Sequence, residues 1–541
     1  MTNASATMSP AAKAAHETKP KLDHKMHPAM LILFVGLVAG GLLYTVYSLY
    51  ADVSDSGSQV RTVLPFILLG IALLVALGFE FVNGFHDTAN AVATVIYTHS
   101  LPPHFAVVWS GVWNFTGVLV SSGAVAFGIL SLLPVELILQ VGSDAGFAMV
   151  FALLIAAIIW NIGTWSLGLP ASSSHTLIGS IIGVGLANQL MAPAGSSTSG
   201  VDWGQALNVG KTLLISPLIG FICAALLLLA MKGLIKSKQL YEAPKGSEPP
   251  PFWIRGLLVL TCTGVSFAHG SNDGQKGMGL IMLILIGTVP TAYALNRAMP
   301  DDQVVQFHAI AQATEQSLTP YANGVAAPAD FREGVGAYVR SHELKPETIP
   351  ALMKLIDVSA TQVAQYGSLS RVPIDSVDNI RNDMYLTSEA IRLMQKAGNP
   401  AFNDEANKNL TAYKKDLDGA TKFIPLWVKV AVAIALGLGT MVGWRRIVVT
   451  VGEKIGKSHM TYAQGGAAEL VAMGTIFAAD WYGLPVSTTH VLSSGVAGTM
   501  AANKSGLQMS TVRNLLMAWV LTLPAAILLS GTLYFIFRHL F

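Results

Sequence analysis

A short apolar stretch of the chain carries polar side chains that could bind or exchange ions. It reads FVNGFHDTANAVATVI over residues 81–96. Asn83, Asp87 and Asn90 lie four and three residues apart, which places them on one face of a helix. A charged carboxylate at the centre of a bilayer costs at least ~2.5–3.5 kcal/mol. Asp87 therefore needs a partner cation, a proton or a water-filled cavity.

A second stretch, residues 267–282, repeats this arrangement with the sequence FAHGSNDGQKGMGLIM. His269, Asp273 and Lys276 have the spacing of the three polar residues in the first stretch. Similar polar residues at matched positions favour a functional site over a single structural ion pair. Lys276 follows Asp273 by one helical turn, so its ammonium is predicted to neutralise that carboxylate.

Two further segments combine Gly-Leu-Pro with a run of hydroxyl residues and a histidine: GLPASSSHTLIG over 168–179 and GLPVSTTHVLSS over 483–494. Proline and small hydroxyl residues favour a helix start. Such a start offers free N–H groups and a positive dipole end, so two converging starts would hold a tetrahedral oxyanion. Ordinary capping in a packed bundle is the other interpretation. The predicted substrate-binding residues are Ser172, Ser173, Ser174, Ser487, Thr488 and Thr489, supported by His175 and His490.

The composition is that of a chain with much of its surface in a lipid bilayer. Of 541 residues, 52% are hydrophobic and 12% are charged, whereas soluble proteins carry about 25% charged residues. The net charge of +2 gives no attraction to nucleic acid. Cys223 and Cys262 lie far apart in apolar segments and indicate neither a disulfide framework nor a metal site. No cofactor is predicted, and any metal ligands stay unassigned.

Long apolar segments predict many membrane-spanning helices. A span needs ~20 apolar residues, and several segments are longer, so broken or tilted helices are expected. Residues 1–27 are predicted to be a disordered tail, 28–50 an extra N-terminal span and 297–424 a soluble helical insert. The predicted spans are 28–50, 63–97, 105–133, 145–168, 170–190, 210–232, 254–296, 425–443, 461–482, 484–503 and 511–537.

The distribution of lysine and arginine predicts the orientation. The N-terminal tail, the linker 233–253 and the segment 443–457 are basic and are assigned to the cytoplasm. Counting crossings from there places the insert in the periplasm. The chain is thus expected in a bacterial inner membrane, with many spans and a cytoplasmic N-terminus.

The paired motifs indicate an internal repeat whose halves are inverted. The first half is 63–232, and the second combines 254–296 with 425–537. By the count of crossings, the motif segments 63–97 and 254–296 run in opposite directions. Inverted repeats are typical of secondary transporters, with the binding site near the midplane. The predicted fold is an all-α polytopic membrane protein with two inverted five-span halves, broken or hairpin helices, one extra N-terminal span and the helical insert.

Together these motifs resemble the inorganic phosphate transporter (PiT) family. GFHDTANA (84–91) and GSND (270–273) resemble its paired Gly-Ala-Asn-Asp signatures, and the Gly-Leu-Pro segments are similar to its hairpin motifs. GMGLIMLILIG (277–287), GWRRIVVTVGEKIGK (443–457) and LMAWVLTLPAAILLSG (516–531) resemble the bacterial low-affinity Pit branch. The resemblance implies import of inorganic phosphate by proton symport and alternating access, as a complex with a divalent metal such as magnesium.

The resemblance also implies that the hydroxyl runs hold phosphate while the acidic motifs handle the coupling cation. The chain departs from the family where His86 replaces Asn and where Gln275-Lys276 replaces Ala-Asn. Those carboxamides would help to hold sodium in sodium-coupled relatives, whereas Lys276 supplies a fixed ammonium. The expected coupling ion is the proton, carried by His86 or an aspartate, because histidine titrates near physiological pH. The residues assigned to coupling are Asp87, Asn90, Asp273, Asn272, His86 and Lys276, supported by Asn83, His269 and Gln275.

Other functions fit parts of the pattern. An intramembrane serine hydrolase would use one asymmetric nucleophile–base pair, whereas every element here occurs twice, so no enzyme is predicted. A passive anion channel would need a continuous polar pore, but the polar residues cluster at two levels. A sodium-coupled phosphate symporter, or a symporter of another oxyanion, stays open, and so does a homodimer.

Overall fold

The computed structural model describes residues 19–20, 22, 28–56, 64–87, 89–139, 143–193 and 200–540. The secondary structure of these residues is helical throughout, apart from one isolated bridge between Gly456 and Leu507. The expected all-α class is confirmed. The predicted disordered tail lies outside the described residues, except for 19–20 and 22.

The helices fall into two sets on either side of the linker 233–253, and the insert interrupts the second set. The first set is α1 Pro28–Asp55, α2 Leu64–Asp87, α3 Ala89–Tyr97, α4 Pro103–Val120, α5 Ala124–Leu130, α6 Val135–Leu139, α7 Asp144–Ser166, α8 Ser173–Met191 and α9 Trp203–Leu234. The second set begins with α10 Phe252–Thr288 and α11 Pro290–Tyr293. The insert contains α12 Asp301–Leu318, α13 Phe331–Ser341, α14 Thr348–Tyr366, α15 Ile374–Ala397 and α16 Asp404–Thr421. The second set ends with α17 Leu426–Gly439, α18 Arg445–Val449, α19 Tyr462–Trp481, α20 Thr488–Ala502 and α21 Met509–Leu540.

Fewer of the described helices than predicted are long and apolar enough to cross a membrane on their own. Among the described residues, six are long and apolar enough: α1, α2 taken with α3, α7, α9, α10 and α21. The number rises to as many as eight if the bent pairs α4–α5 and α16–α17 each count as one span. The predicted spans 170–190, 461–482 and 484–503 correspond to α8, α19 and α20, which are not among them. These helices are too short, or too rich in small and polar residues, to supply the ~20 apolar residues of a span.

The predicted span 105–133 is one of the interrupted ones. α4 and α5 meet at 76°. Gly123 has a φ of 87° at the start of α5, a left-handed conformation that glycine adopts without the strain a Cβ would cause. Lys429 Nζ donates to Ser121 O at 2.8 Å and so satisfies a carbonyl that the break frees.

Corresponding helices of the two sets make corresponding contacts. α8 packs along α21 while α9 packs along α20, and α2 packs on α17 while α10 packs on α4. The motif glycines lie at these crossings. A Cβ on Gly84 would lie 2.2 Å from Leu436 O, and one on Gly270 would lie 2.1 Å from Asn114 O. Small residues allow the close backbone approach of helices packed in membranes. Both glycines therefore let two helices approach closely at corresponding crossings of the two sets.

The insert buries apolar side chains, among them the fully buried Leu355, Ile356 and Ile391, and they are continuous with the apolar core of the transport helices. Its helix α15 also contacts the first set. Arg392 lies 2.7 Å from Glu389 and 3.2 Å from Asp202 just before α9, so an ion-pair network joins the insert to the transport helices.

Candidate functional site

Asp87 ends α2 and is the point at which both hydroxyl segments meet. Ser173 Oγ donates to its Oδ2 at 2.5 Å, and Thr489 Oγ1 donates to its Oδ1 at 2.8 Å. The carboxylate is 4% exposed. One hydroxyl from each predicted hairpin therefore binds the same buried carboxylate, although Thr489 lies 402 residues away in the chain.

The neighbours of Asp87 include the other polar residues of the first motif. His86 Nδ1 lies 2.8 Å from Asp87 Oδ1, and its Nε2 lies 3.1 Å from Thr164 Oγ1 on α7. Asn90 Nδ2 donates to Thr489 Oγ1 at 3.0 Å. The imidazole and the carboxylate thus form a contact through which a proton could pass.

The second motif forms a buried charge cluster on α10. Lys276 Nζ lies 2.8 Å from Asp273 Oδ1, and His269 Nε2 lies 3.3 Å from Asp273 Oδ2. Lys276 and Asp273 are 1% and 0% exposed. Lys276 Nζ also donates to Ser174 Oγ at 2.5 Å, so the lysine contacts the first hairpin as well as its own aspartate.

The two hydroxyl segments begin helices whose first turns lie side by side. Ser172 caps α8 by accepting a hydrogen bond from His175 N at 3.2 Å, and Ser487 caps α20 through His490 N at 3.1 Å. The rings of His175 and His490 have centroids 4.5 Å apart. Two positive helix ends therefore meet at the Asp87 cluster.

Some buried polar atoms around this point have no hydrogen-bond partner within the described part of the chain. They are Asn90 Oδ1, Thr488 Oγ1, His175 Nδ1 and His490 Nε2. Nearly all buried polar atoms in folded proteins are bonded to protein or water. These atoms are thus available to a substrate or to water.

Two residues assigned to the coupling region, Asn272 and Gln275, bond to residues around the second hairpin and not to the side chains of Asp87 or Asp273. Asn272 Nδ2 donates to Leu484 O at 3.1 Å. Gln275 Nε2 donates to Asp480 Oδ1 at 2.7 Å, and its Oε1 accepts from Val125 N at 2.9 Å. Their hydrogen bonds position the loop before α20 and the start of α5.

The arrangement includes one group of potential metal ligands. Asp87, His269 and Asp273 each offer an atom within 4.8 Å of the others. The Lys276 ammonium is already 2.8 Å from Asp273, so a second cation there would be repelled by a like charge. The group fits a proton or the protein's own cation better than a resident metal.

Asn114 and Thr164 contact the site although the motifs did not indicate them. Asn114 Oδ1 lies 2.8 Å from His269 Nδ1, and its Nδ2 donates to Thr440 Oγ1 at 3.3 Å. A single asparagine inside the apolar span 105–133 was the available signal, because polar residues in such spans usually face the interior.

Glu80 extends the polar network by one helical turn. It is 0% exposed. Asn83 Nδ2 donates to its Oε2 at 3.3 Å, and Asn83 Oδ1 lies 2.8 Å from Ser173 Oγ, whose single proton Asn83 shares with Asp87. A Cβ on Gly277 would lie 2.3 Å from Glu80 Cγ, so the glycine makes room for this carboxylate.

Comparison with known proteins places the chain among transporters. The family described as "Phosphate transporter family" matches residues 83–530. The low-affinity inorganic phosphate transporters PitA and PitB of Escherichia coli (strain K12) are 43% and 42% identical over 503 and 489 residues, covering 87% of this chain and 96% of each relative. A solved structure described as "The sodium-dependent phosphate transporter" is 18% identical with a TM-score of 0.48, over 88% of this chain and 100% of that one.

The family match spans more than half of the chain, and PitA and PitB each cover 87% of it. These matches confirm the resemblance carried by the paired motifs, and they exclude the serine hydrolase alternative. The chain belongs to the phosphate transporter family, in its low-affinity Pit branch, and is a transporter rather than an enzyme.

Proposed function

We propose that the protein imports inorganic phosphate across a bacterial inner membrane by proton symport. The observation that carries this proposal is the convergence of two capped helix starts on one carboxylate. Ser173 and Thr489 each donate to Asp87 from a different hairpin. Helix starts with free donors favour anions, and the relatives PitA and PitB are named as low-affinity inorganic phosphate transporters.

Asp87 and phosphate would compete for the same two hydroxyl donors. An ionised carboxylate accepts bonds roughly twice as strong as a neutral group does. Protonation of the His86–Asp87 pair would weaken the hold of Asp87 on Ser173 and Thr489. The freed hydroxyls would then turn to phosphate, so a proton binds first and prepares the anion site.

Lys276 is the reason for proposing the proton over sodium. Its ammonium neutralises Asp273 at 2.8 Å, at the place where sodium-coupled relatives are expected to hold a carboxamide. Sodium symport is the second candidate, supported by the three ligand atoms of Asp87, His269 and Asp273. A divalent metal carried with phosphate belongs to the proposal through the family resemblance, and the chain itself would then hold the complex through its hydroxyls.

The proposed mechanism is alternating access between inverted halves. The equivalent pairings α8–α21 and α9–α20 support such a repeat. In this scheme the two hairpins hold phosphate near the midplane, and rocking of one half against the other exposes it to either side. The proposed orientation places the N-terminus and the linker 233–253 in the cytoplasm and the insert in the periplasm.

Matched substitutions in the two hairpins test the shared anion site. Ser173→Ala and Thr489→Val each remove one donor, so each should raise the half-saturating phosphate concentration by roughly 5- to 100-fold. Ser180→Ala is the control, because this buried hydroxyl of α8 donates only to Thr176 O, at 2.9 Å. A normal half-saturating concentration in either hairpin variant would contradict a site shared by both halves.

A further inference from the structure

A basic cleft lies on the face assigned to the cytoplasm, away from the Asp87 cluster. Its volume is about 510 Å³. Arg445, Arg446 and Lys454 line it together with Leu22 and the backbone segment 166–168. Three cationic side chains around one cleft form a strong attraction for an anion.

Arg446 is held in place without a carboxylate. Its guanidinium carbon lies 4.8 Å from the centroid of the Trp165 ring, and its Nη1 donates to Ser166 O. Within the described residues, no carboxylate forms an ion pair with Arg446 or Lys454. A guanidinium has five N–H donors, so most of those on Arg446 can serve phosphoryl oxygens.

The acidic residue beside Lys454 in sequence does not neutralise the cleft. Glu453 is bound by Lys19 Nζ at 2.5 Å and by Tyr97 OH at 2.6 Å. It does not line the cleft. Glu453 therefore does not neutralise Arg446 or Lys454.

The walls of the cleft are continuous with the proposed transport site. Thr450 Oγ1 donates to Gly168 O at 2.7 Å, and Gly168 opens the loop that leads to α8. The Trp165 ring packs edge-on against Phe85 with centroids 5.2 Å apart. Phe85 directly precedes the His86–Asp87 pair. An anion in the cleft would thus lie close to the loop before the first hairpin helix.

The described residues nearest to Gly168 and to its counterpart in the other half, Gly483, differ in charge. A Cβ on Gly168 would lie 3.7 Å from Arg446 O, whereas a Cβ on its counterpart Gly483 would lie 3.2 Å from Ala124 Cβ. The nearest neighbour of Gly483 is thus an uncharged residue, whereas Gly168 lies beside an arginine. The basic cleft is a property of one side of the protein and not a consequence of the repeat.

We propose that this cleft binds a phosphoryl anion. The anion is either inorganic phosphate at the cytoplasmic mouth of the transport path or the headgroup of an anionic phospholipid. Arg446 would bind two phosphoryl oxygens with its planar donors, and Lys454 would add a mobile ammonium. The first source rests on the proposed function, and the second does not.

Protection of Arg446 from phenylglyoxal, an arginine-modifying dicarbonyl, tests the proposal. The full-length protein is placed in phosphatidylcholine nanodiscs, and modification is followed by mass spectrometry at constant ionic strength. Arg255 is the internal control, because this exposed arginine also donates to a carbonyl, Ser100 O at 2.8 Å, but lies outside the cleft. Inorganic phosphate that slows modification of Arg446 and not of Arg255 supports the free-phosphate source. Selective slowing by phosphatidylglycerol in the nanodisc, without phosphate, supports the headgroup source. Protection by neither overturns the proposal.

A pair of lysine variants separates the cleft from general surface charge. Lys454→Gln removes a lining cation and should weaken protection of Arg446, raising the half-protecting concentration of the anion roughly two- to fivefold. Lys457→Gln removes the same charge from an exposed residue of the same segment that does not line the cleft, and should change nothing. Equal effects of the two variants would overturn the proposal. Protection of Arg446 does not require transport. The cleft proposal can therefore fail while phosphate uptake is observed, and it can hold while no uptake is observed.

Discussion

Removal of the Lys276 ammonium tests whether the protein's own cation, and not a transported one, occupies the place beside Asp273. Lys276 and Asp273 are 1% and 0% exposed, with Nζ and Oδ1 2.8 Å apart. Lys276→Met keeps an unbranched apolar side chain of similar length and deletes the charge. Asp273 would then retain His269 Nε2, 3.3 Å from its Oδ2, as a neighbour.

The size of the effect follows from the burial of the pair. Removing one partner of a buried ion pair costs about 3–5 kcal/mol, whereas replacing both with neutral groups is often neutral or stabilising. Lys276→Met alone should therefore lower the free energy of unfolding by that amount, and Lys276→Met with Asp273→Asn should restore most of it. A sodium ion entering the vacated place would return about 2.7 kcal/mol at a hundredfold excess over its Kd.

Unfolding of the detergent-solubilised protein, measured in sodium and in choline buffers, gives the assay. We expect sodium to stabilise Lys276→Met and to leave both the parent and the double variant unchanged. The reasoning is refuted if Lys276→Met is as stable as the parent. It is also refuted if sodium stabilises the parent as strongly as the single variant, since the ammonium would then not occupy the cation site.

Asp87→Asn should reduce phosphate uptake at least ~100-fold while the protein still folds, because the pathway loses its proton site; uptake assays and gel filtration check both parts, and normal uptake would contradict the role. Gly270→Ala should destabilise the protein by about 1–3 kcal/mol, because the new Cβ would lie 2.1 Å from a backbone carbonyl of α4. Gly256→Ala on the same helix is the control, because its Cβ would meet no described atom within 4 Å. Equal unfolding midpoints of the two variants would refute the close crossing. Burial acts to raise the pKa of Asp418 in the insert, but Lys422 and a neighbouring lysine outweigh it and hold that pKa below the usual 3.8. Because the folded state lowers the pKa of this carboxyl, the ion pair stabilises the fold at every pH above the usual pKa. That stabilisation is lost as the pH falls through the lowered pKa. Asp418→Asn should thus cost about 1 kcal/mol at neutral pH and progressively less below pH 3.8, and a pH-independent difference between denaturation curves would be the wrong outcome.

Local signals predicted much of the site. N-cap chemistry located the starts of α8 and α20 at the hydroxyl segments, because Ser172 and Ser487 satisfy N–H groups within their own turn. The spacing of Asp273 and Lys276 placed them in contact for the same reason. Such interactions depend on a few consecutive residues, which one sequence displays directly.

Long-range partners were beyond these signals. The spacing of the motifs predicts that the hairpins converge, but it does not show that Thr489 would bind Asp87 itself or that Lys276 would reach Ser174. Nor does it show the contact of Asn114 with His269, which lies 155 residues further along the chain. These contacts depend on how the helices cross, which is decided by packing of the whole bundle. Apolar stretches of the sequence predict eleven spans, whereas six of the described helices, or up to eight with the bent pairs, are long and apolar enough to cross a membrane.

The coupling ion is tested most directly by uptake of labelled phosphate into proteoliposomes under an imposed pH gradient or an imposed sodium gradient, each with and without magnesium. We predict uptake driven by the pH gradient alone and increased by magnesium, with no response to sodium. Uptake that follows the sodium gradient and ignores the pH gradient would contradict proton symport and the role proposed for Lys276.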